Sequence, residues 1–167
     1  MSRTNRIQRE LDMLLKDPPE GISICTYPDE NNRLEARITG PSGSAFEGGV
    51  FTVEIKLPER YPFEAPLLRF QTKLYHPNVD ETGRICLDSL KLPPAGSWRP
   101  SLNLLQVLSQ LRILLVEPGL GDPLMKDIAD VYKNDYERYV ATARDWTSKF
   151  AQGIQSPNKR VRQENES

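Results

Sequence analysis

An α+β domain is the fold class this sequence predicts, and three observations carry it. A helical apolar stripe opens the chain, and four short segments with apolar–polar alternation follow at close spacing. After a long irregular stretch, helical periodicity returns and persists. Strands grouped before helices point to α+β rather than to alternating β–α units.

The first helix is expected from about Arg3 to Lys16. Ile7, Leu11, Leu14 and Leu15 fall at i, i+4, i+7 and i+8 on one apolar face, with Arg6, Arg9, Glu10 and Asp12 turned outward. Pro18 and Pro19 end it, because proline lacks an amide donor and restricts the residue before it. Ile22 and Ile24 begin the first strand. Leu34, Ala36 and Ile38 alternate with Arg33, Glu35 and Arg37 in the second, and Gly40-Pro41-Ser42-Gly43 then turns the chain. Phe51, Val53, Ile55 and Leu57 alternate with Thr52, Glu54 and Lys56, the clearest period-2 pattern in the sequence. Leu68 and Phe70 mark a shorter fourth strand. Short connections favour an antiparallel meander with one wet face and one buried face that helices must cover.

From about His76 to Pro100 no periodic element persists, yet Cys86, Trp98 and several leucines argue against disorder. Such a stretch inside a compact domain reads as a functional loop. Leu104, Leu108, Leu111 and Leu115 then make a helical stripe, widened by Leu105, Val107 and Leu114, and Glu117-Pro118-Gly119 stops it. Asp122-Pro123 reads as the N-cap and first position of a further helix, with Leu124, Ile128 and Val131 facing inward. A last helix places Tyr139, Ala143, Trp146 and Phe150 on one face. Polar residues dominate from Gly153, so a core domain over 1–152 and a disordered tail over 153–167 are expected.

Bulk composition excludes more than it selects. A formal net charge of −1 gives no reason to expect a nucleic acid or a membrane surface as partner, and a monomer is expected. Charge is uneven, however: Arg3, Arg6, Arg9 and Lys16 gather early, and Lys159, Arg160 and Arg162 late. The apolar run from Leu102 to Val116 is too short and too polar to span a bilayer. Two cysteines, Cys25 and Cys86, cannot build a disulfide framework, and no secretory signal is read at the start, so a reducing intracellular compartment is expected. With one histidine besides, no metal site is expected.

Cys86 stands in Gly83-Arg84-Ile85-Cys86-Leu87-Asp88, ten residues after the sole histidine in His76-Pro77-Asn78. A lone cysteine is by default a small buried hydrophobe, and a lone histidine a structural group. The Gly- and Pro-rich loop raises Cys86 to a candidate nucleophile. A Cys–His protease is one reading, with His76 as base and an asparagine orienting it. Against it, His76 is coupled to Pro77, Asn78 is too near in sequence for a remote orienter, and no oxyanion segment or second lobe is visible.

Five landmarks in order resemble the ubiquitin-conjugating enzymes over about residues 3–150. They are Tyr61-Pro62-Phe63 with Pro66, then His76-Pro77-Asn78, then Gly83 to Leu87, then Trp98 with Pro100, then Asp122-Pro123-Leu124. Within that family, the long gap Lys91-Leu92-Pro93-Pro94-Ala95-Gly96-Ser97, with Pro58-Glu59-Arg60, is similar to the T-type enzymes. The resemblance implies the ubiquitin-conjugating (UBC) form of the α+β fold: an N-terminal helix, the meander, a long active-site loop and helices packed on the sheet.

It also implies a chemistry and partners. An activating enzyme, which consumes ATP, would pass ubiquitin to Cys86 as a thioester, with no cofactor held by the chain itself. A substrate lysine would then take it, with Asn78 as oxyanion donor, a role worth roughly 3 kcal/mol in well-studied acyl-transfer sites. Asp122 would gate the incoming amine, while His76 and Pro77 would brace the loop. Gly119-Leu120-Gly121 departs from the family's more acidic run before that aspartate and leaves the stiffness of the gate open. Ligase docking would fall on Arg60, Phe63, Trp98, Arg99, Pro100 and Ser101, with partial core packing an equal reading of Trp98, and activating-enzyme docking on Arg6 and Arg9. Lys91, five residues past Cys86, is a candidate self-modification site. For the T-type subfamily the ligase is the RING protein of the Fanconi anaemia pathway, Fanconi-type ligase L-like. The product is a single ubiquitin in interstrand-crosslink repair. That role and Lys159-Arg160-Val161-Arg162 suggest the nucleus, with the cytoplasm as a second location. The rivals are a conjugating enzyme for another ubiquitin-like modifier and a non-enzymatic ubiquitin-binding scaffold; Cys86 argues against the scaffold.

Overall fold

The computed structural model of the chain describes residues 2–153; the expected tail beyond Gly153, with its basic cluster, lies outside them. The element order is α1 (Arg3–Lys16), β1 (Ile22–Tyr27), β2 (Glu30–Thr39), β3 (Val50–Lys56), β4 (Leu67–Phe70), a 3-10 turn (Asp88–Leu90), α2 (Leu104–Val116), α3 (Lys126–Asn134) and α4 (Tyr136–Phe150). This is the expected α+β arrangement.

The strands form one sheet in the order β1-β2-β3-β4, antiparallel throughout. Its register sets Ala36 opposite Val53 and Val53 opposite Phe70, so the apolar positions of β2, β3 and β4 line one face. Ala36, Ile38, Phe51, Val53 and Ile55 are sealed from solvent and share a single core with Leu104, Val107, Leu108 and Leu111 of α2. The stripe read along α2 is therefore the inward one. A capping box starts that helix: the Asn103 side chain accepts from the Gln106 amide, and the Gln106 side chain accepts from the Asn103 amide.

Three expectations need correction. On α1, Leu15 is 55% exposed whereas Glu10 is only 5% exposed. Glu10 lies on the i+3/i+4 row between Ile7 and Leu14, and three donors converge on its carboxylate, so it can be buried with its charge satisfied. Leu15 sits one position past that row, near the helix end. Secondly, Asp122-Pro123 does not begin a helix. Residues 122–125 are irregular, and α3 starts at Lys126 behind Met125 with no side-chain cap. The Met125 amide instead donates to the Pro77 carbonyl at 2.9 Å, which holds this segment against the irregular stretch that begins at His76. Thirdly, Phe150, read as facing inward on α4, is 44% exposed; Tyr139 and Ala143 of the same stripe are buried.

Phe51 is wholly buried near the start of β3. Phe51→Ala should therefore lower the free energy of unfolding by about 3–5 kcal/mol. A shift in urea midpoint at unchanged slope would measure it, and a loss under about 1 kcal/mol would contradict the core as described.

Candidate active site

The irregular stretch is seated on the sheet by one glycine. Gly83 has φ +89°, and a Cβ there would collide with the Phe70 carbonyl at the end of β4. The Phe70 amide donates to the Gly83 carbonyl at 2.9 Å, and Arg69 bridges to Arg84, so the loop is laid along the sheet edge. Asp80 organises the turn before it, its Oδ1 accepting from the Thr82 and Arg84 amides, each at 2.9 Å. Partial burial opposes ionisation of Asp80, but those donors and the Arg84 charge outweigh it and hold its pKa below the usual value.

Beyond the turn, the Cys86 amide donates to the Asn78 carbonyl at 2.9 Å, placing the half-buried thiol alongside His76-Pro77-Asn78. His76 is fully buried. Its Nδ1 accepts from the Asn78 amide at 3.0 Å, and its Nε2–H faces the Leu114 carbonyl at 2.7 Å. Those partners fix the tautomer as Nε2–H, because an amide must meet a lone pair and a carbonyl must meet a donor. Burial drives the imidazole pKa down to about 4, against the opposing pull of the Leu114 and Leu115 backbone hydrogen bonds. Both nitrogens are occupied and the ring is neutral. His76 therefore braces the loop and does not serve Cys86 as a base, which removes the protease reading.

Asn78 is also engaged. Its Nδ2 donates to the Gly119 carbonyl and its Oδ1 accepts from the Gly119 amide, both at 2.8 Å. A flipped amide would face donor with donor, so the orientation is set. One Nδ2 hydrogen is not used by this pair. Together with the Pro77–Met125 bond, these contacts tie the 119–125 segment at both ends to the loop that carries Cys86, and leave Asp122 exposed between the anchors. The extra glycines of Gly119-Leu120-Gly121 therefore lie in a doubly anchored segment. Nothing in the sequence signalled Gly119 as the partner of Asn78.

The extension after Cys86 closes on itself. The Trp98 amide donates to the Lys91 carbonyl and the Ser97 amide to the Asp88 carbonyl, each at 2.9 Å. Gly96 allows this, since a Cβ there would strike Asp88 and Lys91. Lys91 is thereby turned toward the cysteine, with Nζ 3.5 Å from Cys86 Sγ.

The remaining predicted residues divide. Arg60, Phe63, Arg99, Pro100 and Ser101 are exposed, Phe63 by 65%. Trp98 is not: it is 0% exposed, its ring 5.9 Å from that of Tyr61 and its Nε1 donating to the Pro62 carbonyl at 2.8 Å. It packs beneath the loop of Tyr61 and Pro62 rather than presenting its ring. Arg9 is exposed as expected for a docking residue, but Arg6 is half-buried and bonded to Glu10, so it is not a free contact for a partner. Glu10 and Tyr61, which join these loops, were missed; the signal for Glu10 was its place on the apolar row of α1. Among the described residues no group of three or more His, Cys, Asp or Glu side chains could hold a metal ion, and no helix is long and apolar enough to cross a membrane.

Residues 6–147 match the family model described as ubiquitin-conjugating enzyme. The chain belongs to that family. It is 51% identical over 152 residues to ubiquitin-conjugating enzyme E2 T of Xenopus laevis, covering 90% of this chain and 79% of that one. Identity to ubiquitin-conjugating enzyme E2 T of Homo sapiens is 49% over 151 residues, covering 90% and 77%. Ubiquitin-conjugating enzyme E2 N of Drosophila melanogaster is 44% identical over 152 residues, covering 90% and 97%. Among solved structures, the E2 domain of a Toxoplasma gondii ubiquitin-conjugating enzyme superposes with a TM-score of 0.80 at 33% identity, covering 90% of this chain and 99% of that one. A ubiquitin-conjugating enzyme works in general with ubiquitin, an activating enzyme and ligases.

The conjugating enzyme's buried imidazole has a pH signature. Its pKa is depressed in the fold, so between about 6.5 and about 4 the unfolded chain binds the proton that the native chain refuses. That contribution to stability is complete above about pH 6.5 and is lost as pH falls toward about 4. Native stability should therefore drop by about 2 kcal/mol between pH 7 and 5 from this group alone. The single histidine makes the check direct: its imidazole NMR signals should stay those of the neutral Nε2–H form at pH 5. A titration midpoint near 6.5 would contradict the burial.

Proposed function

We propose that Cys86 carries ubiquitin as a thioester and that a RING ligase directs its transfer to a substrate lysine. The observation that carries the reading is the half-buried Cys86 thiol on a loop braced by a neutral His76, beside a gate tied to Asn78 and Pro77.

In the first step the Cys86 thiolate attacks the thioester carbonyl that ubiquitin forms with the activating enzyme, whose thiolate leaves. ATP is consumed there and no cofactor is needed on this chain. In the second, a neutral lysine amine attacks the new thioester, an oxyanion forms and collapses, the C–S bond breaks and the Cys86 thiolate departs. The amine's proton leaves to Asp122 or water. Asn78 Nδ2, with one hydrogen held by Gly119, offers its other to the oxyanion. Asp122 accepts a hydrogen bond from the incoming amine and orients it. Its charge alone would favour the ammonium, so removal of water from the gate must lower the amine's pKa from about 10.4.

On this reading the ligase docks on exposed Arg60, Phe63, Arg99, Pro100 and Ser101, with Trp98 beneath them, and the activating enzyme uses the exposed face of α1 at Arg9. The similarity to E2 T enzymes and the Lys91–Ser97 extension support a T-type role. That role is transfer of one ubiquitin, with the Fanconi-pathway RING ligase, in the nucleus during interstrand-crosslink repair. The 3.5 Å approach of Lys91 Nζ to Cys86 supports self-modification at Lys91, since an amine held there meets the thioester at high effective concentration.

Incubation with ubiquitin, activating enzyme and ATP should give a thiol-sensitive band one ubiquitin heavier on a non-reducing gel, absent for Cys86→Ala. A band formed only with another modifier would sink the ubiquitin assignment. Prolonged incubation should add a thiol-resistant ubiquitin on Lys91, read by mass spectrometry and lost in Lys91→Arg. Its absence from the charged enzyme would remove Lys91 from the account. With the Fanconi-type RING domain present, Phe63→Ala should reduce ligase-stimulated discharge by about tenfold or more, because a buried anchor commonly dominates a small interface.

A further inference from the structure

The inner face of α1 carries a charged residue where a helix normally buries only hydrocarbon. Glu10 is 5% exposed. Its Oε2 accepts from the Tyr61 hydroxyl and from Arg6 Nε, both at 2.5 Å, and its Oε1 accepts from the Leu104 amide at 2.7 Å. Burial first, then the Glu10 carboxylate, push the Tyr61 phenol far above its ordinary pKa, so Tyr61 remains a donor. The first turns of α1 and the start of α2 are thus joined through one carboxylate.

Arg6 extends this junction. While Nε holds Glu10, its two terminal nitrogens donate to the Pro100 carbonyl at 2.8 Å and the Leu102 carbonyl at 2.6 Å. Arg3, one turn earlier, donates to the Leu57 and Pro58 carbonyls at 3.1 Å. The loop bearing Arg60 and Phe63 is held by Arg3 and, through Tyr61, by Glu10. The loop bearing Arg99, Pro100 and Ser101 is held by Arg6. Between the loops, Trp98 Nε1 reaches the Pro62 carbonyl at 2.8 Å.

We propose that Arg6 and Glu10 are positioning residues for the ligase-docking surface: they fix the 58–64 and 98–102 loops relative to each other before any ligase arrives. This rests on the docking reading given above. A guanidinium suits the task because its planar fork reaches one carboxylate and two carbonyls at once. A surface already in its bound geometry does not lose loop entropy on docking, so the device contributes to affinity without touching the partner. It also explains why the basic residues of α1 differ in exposure: Arg3 and Arg6 grip loop carbonyls, whereas Arg9 faces solvent.

Arg6→Lys is the sharp variant, because it keeps a cation beside Glu10 yet cannot bridge to both carbonyls. Titration with the Fanconi-type RING domain should show affinity falling by about tenfold while the rate of thioester charging changes by less than about twofold. General loss of structure would lower both. Tyr61→Phe, which retains the ring against Trp98 and removes only the hydroxyl, should show the same split, and serves if Arg6→Lys does not fold. Unchanged RING affinity in either folded variant overturns the proposal, and so does a loss confined to charging, which would make Arg6 an activating-enzyme contact. Phe63→Ala is measured alongside. If Phe63→Ala binds the RING domain like the wild type, the docking reading itself fails; if it weakens while Arg6→Lys does not, only the positioning role fails.

Discussion

A buried, uncharged imidazole holds the loop that carries Cys86 to the body of the fold. The last carbonyls of any α-helix lack partners within the helix, and at the end of α2 the Leu114 carbonyl is met by His76 Nε2–H. The other ring nitrogen accepts from the Asn78 amide, so one side chain satisfies the helix end and bends the chain at His76-Pro77-Asn78. From that bend the next links follow: the Asn78 carbonyl receives the Cys86 amide, the Asn78 side chain clasps Gly119, and the Pro77 carbonyl takes the Met125 amide. The neutral ring makes this affordable, because a buried cation without a carboxylate partner would carry a far larger desolvation cost. Stability and chemistry share the same group: the interaction that shapes the site also prevents its histidine from acting as a base.

How much of this could be read from the sequence depends on whether a residue's role is local. The alternation along β3 and the leucine stripe of α2 reflect periodicities of single elements, and both appear as expected. The breakdown of periodicity around Cys86 likewise matches an irregular, ordered stretch. Gly83 needed the fold to be understood, because its constraint is a carbonyl on β4 rather than the turn alone. Trp98 stayed open between surface anchor and core for a similar reason: its neighbours Arg99 and Pro100 suggest exposure, and only Tyr61, distant in sequence and packed against it, decides for burial. Asp122-Pro123 carries the local marks of a helix start, yet the Pro77–Met125 bond overrides them and delays α3. Glu10 shows that polarity is a poor guide to exposure when donors from three other positions converge on it.

The two polar networks divide the molecule's work. One, centred on His76 and Asn78, fixes the loop that carries Cys86 and the 119–125 segment. The other, centred on Glu10 and Arg6, fixes the loops that present Arg60, Phe63 and Arg99. Trp98 touches two of these regions: its amide closes the extension that turns Lys91 toward Cys86, and its indole supports the proposed docking loops through Pro62.

His76 is committed and neutral, so Cys86 has no histidine to activate it or to take a proton from an incoming amine. The acidic group at the gate, Asp122, is exposed, and a carboxylate in water interacts with an amine only weakly. That weakness ends when a bound protein covers the gate, because excluding water strengthens every polar interaction there and disfavours the ammonium form of the lysine. On the proposed chemistry the thioester is therefore slow toward free amines and becomes reactive when another protein covers the 119–125 segment. Restraint follows from the same hydrogen bonds that build the loop: a histidine used for architecture leaves deprotonation to an exposed acid, and an exposed acid needs a partner to make it effective.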